Sequence, residues 1–231
     1  MAKNIVLELK NISFSYNKNK QILTEANAEF SKGTINGIVG LSGSGKTTLI
    51  RLINGSLFKE HNYDYLGDIK VLSEDIKTHK DLNRFIGTLY QDSDNQIIFT
   101  KVIDEVVFGM ENYNKSIPYM NNKLKDVLDL LGIDYLRLRD PNQLSGGEKQ
   151  LVILAAILTL DVEILILDEC MTGVSISSRK KVLQVINELK AQGICIIMVE
   201  HDFENLINAD VIYEIENKKL RLVEYSELVK G

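Results

Sequence analysis

The sequence predicts an α/β fold: a mostly parallel, doubly wound sheet, an antiparallel β layer beside it, and a block of helices inserted in the middle of the chain. Three observations predict it. The runs Ile35 to Val39, Ile164 to Leu167 and Ile194 to Val199 are dominated by Ile, Leu, Val and Met, the composition of strands buried on both faces, as parallel strands are. Helix-length segments separate several such runs, so strand alternates with helix. Between Gln96 and Thr159 the strand signals give way to helical spacing.

Taken in order, further strand-like runs lie at Ile5 to Leu9, Phe85 to Leu89 and Val211 to Ile215. The first 30 residues, with Ile69 to Val71, read as the antiparallel layer. In the middle, VIDEVVFGMEN, NNKLKDVLDLLG and GEKQLVILAAIL carry apolar residues at three- and four-residue spacing. This places a helical subdomain at about 96–159 within a single domain spanning 1–231. Only Pro118 and Pro141 punctuate the chain, and no repeat or linker is apparent.

Composition narrows the function. With 231 residues, 45% hydrophobic and 26% charged, the chain can bury a sizeable core. A net charge of -5 offers no broad basic surface, so nucleic acid is not an expected partner. The longest apolar run, Leu151 to Leu160, has ten residues, half of the roughly 20 that a membrane span needs. MAKNIVLELK lacks the apolar core of a signal peptide, so a cytoplasmic location is expected. Cys170 and Cys195 are too few for a disulfide framework and read as buried, reduced thiols.

GLSGSGKTT, Gly40 to Thr48, follows the run Ile35 to Val39 and precedes a helical stretch. Gly40, then Leu41, Ser42, Gly43 and Ser44, then Gly45, Lys46 and Thr47 satisfy G-x-x-x-x-G-K-[ST], the P-loop pattern. Glycines let the backbone aim its N–H groups at an anion, and a helix N-terminus adds partial positive charge. Lys46 would reach the β- and γ-phosphates of a nucleoside triphosphate, and Thr47 would ligate Mg²⁺. A plain Gly/Ser turn explains neither Lys46 nor the flanks. The fold expected is thus a P-loop NTPase core with its two additions.

EILILDE is an apolar run ending in Asp168 and Glu169. Asp168 matches the carboxylate that holds Mg²⁺ in P-loop NTPases, and Glu169 can activate a water; taken alone, the pair could equally start a solvated turn. His201 follows the core run of IIMVEHD. A lone histidine is usually structural, but this one falls on the ligand edge of such a sheet and is expected to contact a γ-phosphate. In LSGGEKQ, Ser145, Gly146 and Gly147 open a strongly apolar helix, either as a second anion-binding helix start or as an ordinary serine cap. Two chains related by a two-fold axis could each offer this turn to the other's nucleotide.

With these motifs the chain resembles the ATPase subunit of ABC transporters over nearly its whole length. The resemblance implies ATP and Mg²⁺ as cofactors. It makes Gln91 the glutamine-loop residue, a Mg²⁺ contact as well as a catalytic one, LSGGE the signature, and Asp168 and Glu169 the Mg²⁺ and catalytic carboxylates. His201 is the switch histidine, and Tyr16 in FSYNK the aromatic residue against adenine, although by composition it could be any strand aromatic. Gln91 followed by Asp94, Asn95 and Gln96 is similar to ATPases of energy-coupling factor importers, which carry a vitamin or metal ion. That implies a second ATPase subunit, an integral membrane scaffold seated on Gln91 to Phe99, a solute-binding membrane subunit, and a place on the inner face of the membrane. Ile97, Ile98 and Phe99 could instead be core residues. A conventional ABC importer or exporter ATPase is the neighbouring alternative; a weakly hydrolysing regulatory partner and a soluble ABC-type ATPase acting on ribosomes or DNA are the more distant ones.

The chain departs from the family pattern in places. Cys170, Met171 and Ser175 stand where proline, threonine and the interface aspartate are usual, Glu148 where glutamine is, and Leu151 where arginine follows. The lost aspartate weakens the expected cross-talk, and a carboxylate at 148 would repel a triphosphate unless it points away. The expectation is a partner that is a different ATPase, with two unequal sites. Only 30 residues follow His201, short for the C-terminal extension that helps hold energy-coupling factor ATPase dimers.

Overall fold

A computed structural model describes residues 4–17, 20–59, 63–76, 82–92, 94–172 and 175–229. Two sheets organise it. The first is antiparallel, with β1 (Ile5–Ser15) between β2 (Gln21–Ser31) and β4 (Asp64–Val71), and the short β5 (Glu74–Asp75) outside β4. The second has the order β10-β9-β3-β8-β7-β6, from β3 (Ile35–Val39), β6 (Ile86–Leu89), β7 (Ile164–Asp168), β8 (Cys195–Val199), β9 (Val211–Glu216) and β10 (Lys219–Leu222). All its pairings are parallel except β10 against β9.

The apolar runs of β3, β7 and β8 have a direct cause. Every residue of these strands is buried, and successive side chains enter different cores, as the two-residue period of a strand requires. Leu165, Leu167, Ile196 and Met198 join the core shared with the helices. Ile164, Ile166, Ile197 and Val199 join the one that faces the antiparallel sheet.

The helices are α1 (Lys46–Ile53), α2 (Leu82–Phe85), α3 (Val102–Asn112), α4 (Ile117–Leu131), α5 (Gly146–Leu158), α6 (Ile176–Ala191) and α7 (Tyr225–Leu228). α1 fills the core under the antiparallel sheet, and α3 to α6 pack on the other face of the parallel one. α4 begins with Pro118 in its first turn and stops at Gly132, at φ 58, the usual proline start and left-handed stop. Among the described residues no helix is long and apolar enough to cross a membrane.

Strand limits differ from the sequence reading in several places: β4 begins at Asp64 instead of Ile69, and β7 and β9 run one residue further, to Asp168 and Glu216. Phe85 closes α2 instead of opening β6, and Ile194 precedes β8. β1 runs on to Ser15, past the expected end at Leu9. Its pairing register shifts between Leu9 and Ile12, and Asn11 sits at φ 51, so a bulge hides the alternation that would have marked the strand's second half.

Gly87 of β6 lies against α5: a Cβ there would sit 2.2 Å from Ile157 Cγ2. Gly87→Ala is expected to cost roughly 1–3 kcal/mol by overpacking, visible as a lowered Tm. An unchanged Tm would mean that α5 slides freely over β6.

Candidate active site

Loop 40–45 leaves β3 and turns into α1. Gly40, Gly43 and Gly45 have φ of 149, 77 and 113, which side chains rarely tolerate. A Cβ at Gly45 would also lie 2.7 Å from Ile22 Cγ2. The Ser44 amide donates to the Leu41 carbonyl (3.0 Å) and tightens the turn. No side chain caps α1, and the buried Ser44 hydroxyl has no hydrogen-bond partner among the described residues. Uncapped amides and an orphaned hydroxyl facing a glycine cradle fit a polyphosphate.

Lys46 is buried, and its Nζ donates to the carbonyls of Gly40 (2.9 Å) and Leu41 (3.2 Å). Burial lowers its pKa, while Glu169 and Asp168 pull it back up. Tyr16 shares a hydrogen bond of 3.2 Å with the Thr48 hydroxyl, and its ring stands edge-on to Phe14 at 5.0 Å. Tyr16, Ser42, Gly43, Gly45, Lys46, Thr47, Thr48, Glu169 and His201 line one cavity of about 310 Å³. A larger cavity of about 470 Å³ touches Val162 and Ile194, at the opposite edge of the parallel sheet, and contains none of these residues.

Asp168, the last residue of β7, is 8% exposed. Burial and then the Glu169 charge push its pKa up to about 6, against the pull of Lys46. Glu169 turns out of the strand with φ 51, its amide donating to the Val199 carbonyl (2.9 Å). Its Oε1 lies 2.7 Å from His201 Nε2. Among the described residues, no group of three or more His, Cys, Asp or Glu is arranged to hold a metal; a cation here would rely on Thr47, Asp168 and ligand oxygens.

Gln91 is exposed just beyond β6 and does not line the cavity. Its segment is fastened at both ends. The Gln96 side chain accepts from the Tyr90 amide (2.9 Å) and donates to the Thr88 carbonyl (3.0 Å). Glu105 of α3 accepts from the amides of Ile98 (2.8 Å) and Phe99 (2.9 Å), leaving the Ile98 side chain 70% exposed.

Ser145, Gly146 and Gly147 stand apart from the cavity at the start of α5. Ser145 and Glu148 form a capping box: the Ser145 amide (2.9 Å) and hydroxyl (2.7 Å) donate to Glu148 Oε2. The Tyr135 hydroxyl donates to Oε1 at 3.2 Å. Ser145's hydroxyl and amide hold the Glu148 carboxyl below its usual pKa. Glu148 is thus folded into its own helix cap. Ser175 caps α6 by accepting from the Ser178 amide (3.2 Å). Cys170 and Cys195 are buried and unpaired by disulfide; burial raises both thiol pKa values, Cys195 to about 12, which leaves them unreactive.

The sequence reading missed several residues. Lys20 and Ile22 also line the cavity; the basic run NKNK was the available sign of Lys20. Glu200, beside His201, is 2% exposed, and its Oε2 accepts from Asn205 Nδ2 at 3.0 Å. Burial pushes its pKa up to about 7; Asn205 and Arg179 oppose this, and Asp202 and Glu169 reinforce it.

A glycine cradle between a parallel strand and a helix, flanked by an acidic strand end, defines the class: a P-loop nucleotide-binding protein. The chain belongs to the ABC transporter family, which it matches over residues 23–172. It is 36% identical over 221 residues to the energy-coupling factor transporter ATP-binding protein EcfA1 of Fusobacterium nucleatum, covering 94% of this chain and 81% of that one. With EcfA1 of Oceanobacillus iheyensis it shares 33% identity, covering 94% and 77%. It spans only 41% of a relative from Saccharolobus solfataricus and 42% of one from Methanosarcina acetivorans, each 35% identical. Among solved structures, cbiO1 from Clostridium perfringens, described as part of the ABC transporter complex cbiONQ, superposes with a TM-score of 0.88 at 24% identity, covering 99% of this chain and 92% of that one. A nucleotide-free ATP-binding cassette from an ABC transporter gives 0.80 at 23% identity, with coverage of 98% and 95%. These two show the fold.

Between pH 4.5 and 7, the usual and raised pKa of Glu200, the folded chain holds a proton that the unfolded chain releases. Glu200's contribution to stability is therefore fully present below this window and lost as pH rises through it, on the order of 2 kcal/mol. Urea unfolding at pH 5 and pH 8 should show a smaller loss in Glu200→Gln than in the unaltered chain; equal losses would remove Glu200 as the source.

Proposed function

We propose that this chain is the ATP-binding and ATP-hydrolysing motor subunit of a membrane importer of the energy-coupling factor type. One observation carries the reading: the P-loop, Glu169 and His201 meet on a single cavity, with the last two 2.7 Å apart. The likeness to the two EcfA1 proteins supports the importer type.

In this reading the triphosphate lies on the amides of 40–48, and Lys46 exchanges the carbonyls of Gly40 and Leu41 for phosphate oxygens, with adenine against Tyr16. Thr47 and Asp168 would hold Mg²⁺, which neutralises phosphate charge when bound; Gln91, outside the cavity in this structure, would join them by moving inward. Glu169 takes the proton of the attacking water. His201 orients that carboxylate and reaches the γ-phosphate; Gln91 positions the water.

The turn at Ser145, Gly146 and Gly147 is offered to the nucleotide of a second ATPase subunit. Glu148 is held in its cap, so it repels less than a free carboxylate, yet Ser145 must release it to donate to phosphate. Together with Ser175, this favours a different ATPase as partner, giving two unequal sites. Residues 91–99, with Ile98 outermost, receive the membrane scaffold, and a solute-binding membrane subunit supplies the vitamin or metal ion. We read 1–231 as one ATPase domain, with helical part 96–159, lying on the inner face of the membrane.

Glu169→Gln is expected to keep ATP affinity within a few-fold while turnover falls by about 10²–10³; unchanged turnover would exclude Glu169 as the base. Ile98→Asp should leave ATP binding intact and abolish co-purification with membrane subunits. Full retention of those subunits would move the docking surface elsewhere.

A further inference from the structure

We infer that Arg179 and Glu200 are positioning residues for His201, clamping its loop from both sides and fastening it to α6, the helix that begins at Ser175. This rests on the reading of Glu169 and His201 as the catalytic pair.

His201 is half exposed, so packing alone does not fix its ring. The chain on either side of it is fixed. Glu200 is buried, its amide reaching the Ile38 carbonyl of β3 (3.4 Å) and its Oε2 bound by Asn205 Nδ2 at 3.0 Å, which closes the backbone over residues 201–204. The Asn205 amide also donates to the Asp202 carbonyl at 3.1 Å. Asp202 then uses both carboxylate oxygens: Oδ1 accepts from the Glu204 amide (3.1 Å), and Oδ2 from Arg179 Nη1 (2.8 Å).

Arg179 lies in the first turn of α6, its amide donating to the Ser175 carbonyl at 2.9 Å. A line of direct contacts thus runs from the cap of α6 through Arg179 and Asp202 to the residue beside His201, and His201 bonds Glu169. The cluster also holds a spare donor and a spare acceptor. Arg179 Nε and Glu200 Oε1 are both buried without a hydrogen-bond partner among the described residues. Ser175 cannot carry the interface charge that an aspartate would; the connection from this helix to His201 runs through Arg179.

An ion pair this exposed adds little to stability, but a misplaced catalytic group is costly in rate. The clamp therefore predicts a loss confined to turnover. ATP hydrolysis, ATP binding and Tm are measured in the complex in which the chain is purified. Arg179→Ala should lower kcat about tenfold, with KM for ATP within about twofold and Tm within about 2 °C, and Arg179→Lys should recover most of the rate. Asp202→Asn should behave like Arg179→Ala, and the double variant should be no slower than either, because both remove one contact. Glu200→Gln, which keeps an acceptor for Asn205, should retain turnover within about threefold, whereas Glu200→Ala should lose about tenfold.

An Arg179→Ala enzyme with unchanged kcat, losses that multiply in the double variant, or a rise in KM matching the fall in kcat would overturn the clamp. A kcat loss accompanied by a large fall in Tm would make Arg179 a structural residue and overturn it too. Glu169→Gln serves as the control: full turnover there sinks the catalytic-pair reading itself, while a dead Glu169→Gln beside a normal Arg179→Ala sinks only the clamp.

Discussion

The site depends on one constraint, the parallel alignment of β3, β7, β8 and β6. Ile38 and Asp168 both pair with Val199, and Leu89 pairs with Leu167, so four strands end on one edge of the sheet. The residues that follow them, Gly40, Glu169, Glu200 with His201, and Gln91, are delivered there although up to 161 positions separate Gly40 from His201. Parallel strands need covering on both faces, and the two cores supply it. Hydrophobic burial thus sets the register, and register sets which polar side chains meet beyond the strand ends.

What was legible in the sequence was what is local. β3 and its loop are contiguous, so Gly40 to Thr48 could be read with their chemistry, and the doubly buried strands announced themselves by composition. Features made by long-range pairing were not. The bond between Arg179 and Asp202 joins residues 23 apart, and neither shows a pattern alone. Glu200 stands beside a histidine that drew attention, but only tertiary packing reveals that its carboxylate is buried. The bulge near Asn11 erased alternation in β1, and the short helix ending at Phe85 overrode that residue's strand preference. Glu148 is the informative case. Its negative charge stood out in the sequence, whereas its role as the fourth residue of a capping box, visible in S-x-x-E, went unread.

The site edge is also where the fold is least relaxed. Glu169 adopts a left-handed backbone at a cost of about 1 kcal/mol, and Asp168 and Glu200 are carboxyls whose charged forms are resisted by burial. Such costs persist where surrounding structure over-determines the conformation. Here the backbone bond from Glu169 to Val199 and the covered strands on either side do so.

The two glycine-bearing helix starts treat their dipoles in opposite ways, which bears on the proposed sharing of ATP between subunits. α1 has no side-chain cap and no acid in its first turn, and its lysine is buried against loop carbonyls. Its positive end is left for a ligand, and it lies in the cavity with Glu169 and His201. α5 instead neutralises its own start, with Glu148 accepting from the Ser145 amide and hydroxyl. An anion approaching α1 meets amides that no side chain caps and a lysine bound only to carbonyls, whereas one approaching α5 must displace a carboxylate from its partners and accept its negative charge nearby. Binding at the first can therefore precede binding at the second, with the difference set by one capping residue. That ordering suits the proposed function, in which each chain first loads its own nucleotide and only then closes on its partner's.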